Sequence, residues 1–216
     1  MVLPPEPWTL PPPIYHALQP RLAQRDDLLN LRQQVDNPLQ ALRHDPEVIP
    51  EVRGRRERLL ATVEGQLTEV EAEITAALRH DSAWAAAAQR LQRITGVGWV
   101  TAAWTLVSTR NFTPCDTVEA LTAYAGLAPM PRQSGTSVWY RPSIGHTGNG
   151  RLRTAFYMAT LSAVQHNPVI KTFYPRLRTA GKPEKVARCA AARKLLHLAW
   201  AVVKKDQPFD PYYVRG

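Results

Sequence analysis

Between Leu60 and Ala77 the apolar residues Leu60, Val63, Leu67, Val70, Ile74 and Ala77 recur at intervals of 3-4-3-4-3. That spacing places all six on one stripe of a helix and leaves Arg58, Glu64, Glu69, Glu71 and Glu73 on the solvated remainder. A helix with such a stripe has to lay it against another helix, in the same chain or in a second copy. The preceding segment offers a partner. Leu28, Leu31, Val35, Leu39 and Leu42 share a face of a helix that reads from about Tyr15 to Arg43, and Pro38 is expected to interrupt or kink it. A turn at His44-Asp45-Pro46 would make the pair an antiparallel hairpin, or half of an intermolecular coiled coil. The seam is short, so pairing within the chain is at least as favoured as dimerisation.

Upstream, Pro11-Pro12-Pro13 removes donors and fixes φ, so residues 1–14 read as a proline-rich linker. Residues 15–82 form the helical arm, and residues 83–216 a separate compact helical domain. The expected fold class is all-α: a helical hairpin or coiled-coil arm, then a domain with a helix–hairpin–helix and one long non-helical loop.

Charge divides the chain at nearly the same place. Residues 1–84 carry nine Lys and Arg against thirteen Asp and Glu, a net −4, while residues 85–216 carry eighteen against five, a net +13. Solubility alone needs no such segregation, whereas a phosphate-rich partner does; a ribosomal or merely basic surface is the alternative. No apolar run approaches the roughly 20 residues of a membrane span. The N-terminus has neither the basic nor the apolar region of a signal peptide. Cys115 and Cys189 are the only cysteines and read as reduced thiols of a cytoplasmic protein. None of the six histidines falls in a metal-ligand spacing.

The basic half holds two segments suited to phosphate. In Ile94-Thr95-Gly96-Val97-Gly98 with Ala102, Gly96 would end a helix in a left-handed conformation and Val97 would plug the core. Gly98 would let a phosphate approach the amides that open the next helix, and Ala102 would let the helices close up. A tight turn with no ligand is the competing reading. The second segment, Gly148-Asn149-Gly150-Arg151-Leu152-Arg153, opens a further helix beside two guanidinium groups.

Between the two, Asp116-Thr117-Val118-Glu119 reads as a capped start to a short helix ending at Gly126. The stretch from Pro129 to Gly145 is non-helical, with Val138-Trp139-Tyr140 as its candidate strand. Loops of that length in helical domains tend to be functional. Asn167-Pro168 and Lys182-Pro183 read as two further helix starts. The last helix, from about Pro183 to Lys204, carries Lys185, Arg188, Arg193 and Lys194.

Ser134 lies at the centre of the long loop with Arg132 and Arg141 nearby, a setting in which a hydroxyl can attack phosphorus while cations neutralise the developing charge. A lone Ser-Gly is also ordinary turn chemistry. The carboxylates of the basic half are Asp116, Glu119, Glu184, Asp206 and Asp210. They are too few and too dispersed for a two-metal site. The candidate phosphate contacts are therefore Gly96, Gly98, Arg132, Arg141, Asn149, Arg151, Arg153, Lys182, Arg193 and Lys194, with no metal ligands and no cofactor held by this chain.

Residues from about Leu91 to Tyr213 resemble the C-terminal domain of the bridge-RNA-guided insertion-sequence transposases. The stretches that carry the resemblance begin with Ile94 to Gly98, Thr101-Ala102, Phe112 and Leu121 to Pro129. They continue with Gln133-Ser134-Gly135, Gly148-Asn149, Leu152-Arg153, Asn167-Pro168, Phe173-Tyr174, Gly181-Lys182 and Ala191 to Leu196. Residues 15–80 resemble the family's coiled-coil segment less specifically.

The resemblance implies that Ser134 attacks a DNA phosphate and forms a transient phosphoserine link. It implies an N-terminal RNase H-like domain with an Asp-Glu-Asp-Asp quartet that holds Mg²⁺, a structured guide RNA, and a homo-oligomer built through the arm. That acidic domain is missing here, and Pro4 to Pro13 looks like its exit. The chain alone is thus expected to bind DNA without recombining it. A non-catalytic DNA-binding remnant or regulator is the alternative. A base-excision glycosylase is a further one: its Gly-Val-Gly turn followed by Asp-Thr is nearly reproduced by Gly98 and Asp116-Thr117, which would make Asp116 catalytic, although Trp99 and Val100 supply no lysine nucleophile.

Overall fold

The computed structural model describes residues 10–42, 49–113, 115–134, 138–145, 147–205 and 209–210, with the strand segments described through their backbone. The chain divides into two compact units, residues 1–81 and 82–216.

The first unit is a pair of helices, α1 (Pro13–Leu42) and α2 (Pro50–His80), packed on each other. Arg21 Nε lies 2.8 Å from Glu73 and Arg25 Nε 2.7 Å from Glu71, so position rises along α1 as it falls along α2, and the helices run antiparallel. The more exposed ion pair, Arg21–Glu73, contributes at most about 1 kcal/mol. Apolar burial holds the pair: Leu18, Leu22 and Leu39 on α1, and Val63, Leu67, Val70 and Ile74 on α2, are removed from water, each stabilising by roughly 1.5–3 kcal/mol. The α2 seam is therefore covered by α1 of the same chain.

Two expectations need correcting in this unit. Leu31 is 40% exposed, because at about 100° per residue it falls some 60° from Leu28, at the edge of the stripe. Ala77 is only half-buried and Leu78, with its longer side chain, takes the last place in the seam. Of the two outcomes expected at Pro38, interruption does not occur: α1 runs through it, as it runs through Pro20. The lost hydrogen bond to the Gln34 carbonyl is offset by burial of Val35 and Leu39 on either side.

The second unit comprises α3 (Ser82–Gln92), α4 (Trp99–Thr109), α5 (Val118–Tyr124), β1 (Met130–Ser134), β2 (Val138–Ser143), α6 (Gly150–His166), α7 (Pro168–Thr179) and α8 (Glu184–Lys204). The protein is all-α, as expected. Within the long loop the chain forms a two-stranded antiparallel hairpin that pairs Arg132 with Tyr140, Gln133 with Trp139 and Ser134 with Val138. The strand therefore extends past Val138-Trp139-Tyr140 on one side and has its partner in the segment containing Ser134.

Helix α8 is the hub, packing on α3, α5, α6 and α7. Its sequence explains that position: Ala187, Ala191, Ala192, Leu195, Leu196, Ala199 and Val202 are buried, and the alanines let several helices approach at once. Helix α4 is enclosed along most of its length. The buried hydroxyls of Thr105 and Thr109 donate to the carbonyls of Thr101 and Thr105, so they bring no unsatisfied polar group inside. After α4, Arg110, Asn111 and Phe112 take φ values of 45°, 56° and 62° in succession. The Phe112 amide donates to Thr109 Oγ1 at 3.0 Å, and the ring is fully buried. That burial holds a left-handed run that phenylalanine alone would avoid.

Candidate nucleic-acid interface

The turn between α3 and α4 places Gly96 at φ +100°. A Cβ at Gly96 would sit 2.6 Å from the Ala163 Cβ on α6, so glycine is required by contact as well as by conformation. Val97 and Ala102 are buried, and Ala102 N–H donates to the Gly98 carbonyl at 3.0 Å. Gly98 is the residue preceding α4, and a Cβ there would meet nothing within 4 Å. Two glycines two residues apart thus have different duties: Gly96 admits α6, while Gly98 leaves the start of α4 open.

The second segment is built on a backbone crossing. Gly126, at φ +67°, and Gly148, at φ +91°, meet so closely that a Cβ on Gly148 would lie 2.6 Å from the Gly126 nitrogen. Asn149 then caps α6: its Oδ1 accepts from the Leu152 N–H at 3.0 Å, its Nδ2 donates to Tyr124 Oη at 3.1 Å, and Tyr124 Oη donates to the Ser108 carbonyl. The Asn149 side chain is occupied in holding α5, α4 and α6 together. Arg153 Nη1 donates to the Thr147 carbonyl at 3.0 Å, and the Arg151 guanidinium stands 5.3 Å from the centroid of Trp104.

These two segments do not converge. Gly96 abuts Ala163 near the C-terminal end of α6, whereas Asn149, Arg151 and Arg153 are at its N-terminal end. Ala163 is twelve residues from Arg151, roughly 18 Å along a helix axis. The two phosphate-suited segments thus occupy two separate positions.

What the structure does bring together lies at the root of the β-hairpin. Pro129 and Ile144, the residues flanking the two strands, line a cavity of about 540 Å³ with Phe173 of α7 and Lys185, Arg193 and Lys194 of α8. Lys194 Nζ lies 5.3 Å from the Phe173 centroid, and the Arg176 guanidinium 5.5 Å from it. Cys189 also lines the cavity; burial pushes its thiol up, and the nearby Arg153 charge pulls it down. His197 lies at the same wall, 3.0 Å from Thr122 Oγ1. The Thr122 proton points to the Val118 carbonyl, so the hydroxyl oxygen accepts from the imidazole Nε2–H. Burial, then the Arg193 charge, depresses the His197 pKa.

Arg193 and Lys194 are thus two sequence candidates that line one cavity, while Arg153 is held at the Thr147 carbonyl. Lys182 is exposed, and its carbonyl accepts from Arg178. The side chains of Ser134, Arg132 and Arg141 lie outside the described part of the structure; their backbones occupy the strands of the hairpin. Sequence reasoning missed Phe173, Cys189 and His197 as neighbours of this site. The Phe173-Tyr174 pair among the resembling stretches was the one usable signal.

The described carboxylates of this unit are dispersed. Asp116 faces Lys204 at 3.8 Å, Glu184 pairs with Arg188 at 2.8 Å, and Glu119 is in the first turn of α5. Among the described residues no three potential metal ligands come together. Two expected helix starts also change. Thr117 rather than Asp116 caps α5, accepting from the Ala120 N–H, and Pro183 precedes α8 with no side-chain cap. The side chain of Asp116 is 93% exposed, without the shielding that a carboxylate needs to act on a glycosidic bond.

A helical unit with Lys185, Arg193 and Lys194 lining a cavity at the root of a two-stranded hairpin offers a cationic surface. Residues 88–175, from α3 into α7, match the family described as Transposase IS116/IS110/IS902 family. The pilin gene-inverting protein of Moraxella bovis is 36% identical over 124 residues, which cover 57% of this chain and 38% of that protein. The insertion element IS110 uncharacterized 43.6 kDa protein of Streptomyces coelicolor is 32% identical over 114 residues, covering 53% and 28%. The insertion element IS900 uncharacterized 42 kDa protein of Mycobacterium paratuberculosis is 35% identical over 95 residues, covering 43% and 23%. The chain thus spans less than two fifths of the length of the curated relatives it matches. Among the described residues no helix is long and apolar enough to cross a membrane.

Proposed function

We propose that the chain takes part in insertion-sequence DNA transposition or recombination, binding DNA through residues 82–216 and presenting Ser134 to a DNA phosphate. The observation that carries this reading is a coincidence of match and charge. The segment similar to transposases, residues 88–175, lies inside the half of the sequence with net charge +13. In the proposed step Ser134 Oγ attacks phosphorus and gives its proton to a base. An Oγ–P bond forms and one P–O bond to deoxyribose breaks, the departing oxygen taking up a proton. The phosphodiester count is unchanged, so a second deoxyribose hydroxyl can reverse the step without a nucleotide cofactor.

With no carboxylate cluster among the described residues, the chain by itself binds DNA without exchanging strands. Magnesium would have to be held by another domain. A guide RNA belongs to the same proposal and rests on the family resemblance alone. Association through the arm belongs to it as well; because α1 covers the α2 seam, it would use the exposed Leu31, Val52 and Leu59.

The test is a salt titration of duplex DNA binding to the full chain, wild type and Ser134→Ala. Each neutralised phosphate should contribute about −0.9 to the log–log slope, with equal affinities for the two proteins. An affinity flat in salt would reduce the basic half to a solvated surface. A covalent DNA adduct formed by this polypeptide with magnesium alone would overturn its inactivity.

A further inference from the structure

The cavity at the hairpin root has a composition that ordinary duplex binding does not call for. Lys185, Arg193 and Lys194 line it, and its described lining residues include no carboxylate. Its apolar lining includes Pro129, Ile144 and the Phe173 ring. The Phe173 ring also fixes the Lys194 ammonium, 5.3 Å from its centroid, so part of the charge is held in place before any ligand arrives. A ligand that suits both kinds of lining has an anionic end and a flat apolar body. The volume of about 540 Å³ is that of a small-molecule site, roughly 300–1,000 Å³, and excludes a base-paired helix.

We propose that this cavity takes one unpaired nucleotide of a DNA strand, its base against Pro129, Ile144 and Phe173 and its phosphate between Lys185 and Arg193. The inference rests on the DNA-binding reading of this unit and adds to it a state of the DNA, a strand locally unstacked beside the hairpin that carries Ser134. Pro129 and Ile144 are the residues at which that hairpin leaves and rejoins the helical body. A strand seated there lies at the hairpin's base. Stacking and backbone charge together are how single strands are held without regard to sequence.

Cys189 provides the test, because it lines the cavity while Cys115, the other cysteine, is buried. Alkylation of the full chain is followed at Cys189 by mass spectrometry with saturating oligo-dT, oligo-U or a blunt duplex, and binding of each is measured in parallel by anisotropy. Oligo-dT should slow alkylation at least about fivefold, while a bound duplex leaves the rate nearly unchanged. Ala190→Trp, which fills the cavity without altering charge, should weaken oligo-dT binding roughly tenfold and duplex binding by less than about twofold. Its folding is checked by an unchanged helical spectrum and an unchanged duplex affinity.

Oligo-dT that binds without protecting Cys189, or binds Ala190→Trp as it binds wild type, overturns the cavity and leaves the DNA-binding reading standing. Stronger protection by oligo-U reassigns the strand to RNA and overturns the DNA assignment. Failure of both duplex and single strand to bind removes the broader reading and this one with it.

Discussion

Asn167 Nδ2 donates to the Thr95 carbonyl oxygen at 2.8 Å, joining the corner between α6 and α7 to the turn between α3 and α4 across 72 residues. The same side chain accepts from the Val169 and Ile170 amides at 3.1 and 3.3 Å and so caps α7. Asn167 is fully buried. One asparagine therefore meets both requirements of its position, an acceptor toward a helix start and a donor toward a carbonyl.

Asn167→Ala would leave the Thr95 carbonyl and the α7 amides short of partners, at a cost of about 1–3 kcal/mol. Asn167→Asp keeps the cap and loses the donor, so it should fall between alanine and wild type. Urea unfolding of the full chain gives the order. An alanine variant as stable as wild type would mean the clamp contributes nothing.

The two glycines of the α3–α4 turn should separate stability from binding. Gly96→Ala forces a Cβ against Ala163 at a positive φ and should destabilise by about 1–3 kcal/mol. Adding Ala163→Gly should restore only part, because the Ala163 backbone nitrogen and Cα remain within 3.0 Å. Gly98→Ala meets open space and should leave stability within about 0.5 kcal/mol. If phosphate approaches there, Gly98→Ala loses DNA affinity at constant stability. Unchanged affinity would leave that turn a packing device.

Acid should weaken the fold through His197. Burial and Arg193 hold its folded pKa below the ordinary value, which is about 6.5 in the unfolded chain. The unfolded state therefore binds the proton more readily, and stability present above about pH 6.5 is lost as pH falls from there through the folded pKa. His197→Gln keeps a donor for Thr122 and cannot titrate, so its stability should decline less between about pH 7 and 5. Parallel pH profiles of the urea midpoint in the two proteins would clear His197 of the effect.

In the arm, packing should outweigh charge. Ile74→Ala, at a fully buried position, should cost about 2–5 kcal/mol. Arg21→Ala, removing the more exposed ion pair, should cost under about 1 kcal/mol. Thermal unfolding of the two variants side by side decides it, and a larger loss from Arg21→Ala would reverse the assignment.

Local chemistry was legible in the sequence because it acts over a few residues. The period of Val63, Leu67, Val70 and Ile74 specified a helix with one face to cover, and Asn149 and Asn167 marked helix starts through the short reach of their amides. Periodicity placed Leu31 on the seam and could not register the drift that carries it to the edge. The segregation of positive charge into the back half was likewise complete in the sequence.

Only the tertiary structure decided which of the basic and glycine-bearing segments meet. Gly96 and Arg151 stand at opposite ends of α6, whereas Arg193 and Lys194, about sixty residues beyond Ser134 in sequence, come to the root of its hairpin. Helical period and capping are settled by neighbours within a turn. The assembly of a cavity depends on how α7, α8 and the hairpin root pack, and those long-range contacts leave no period in the sequence to read.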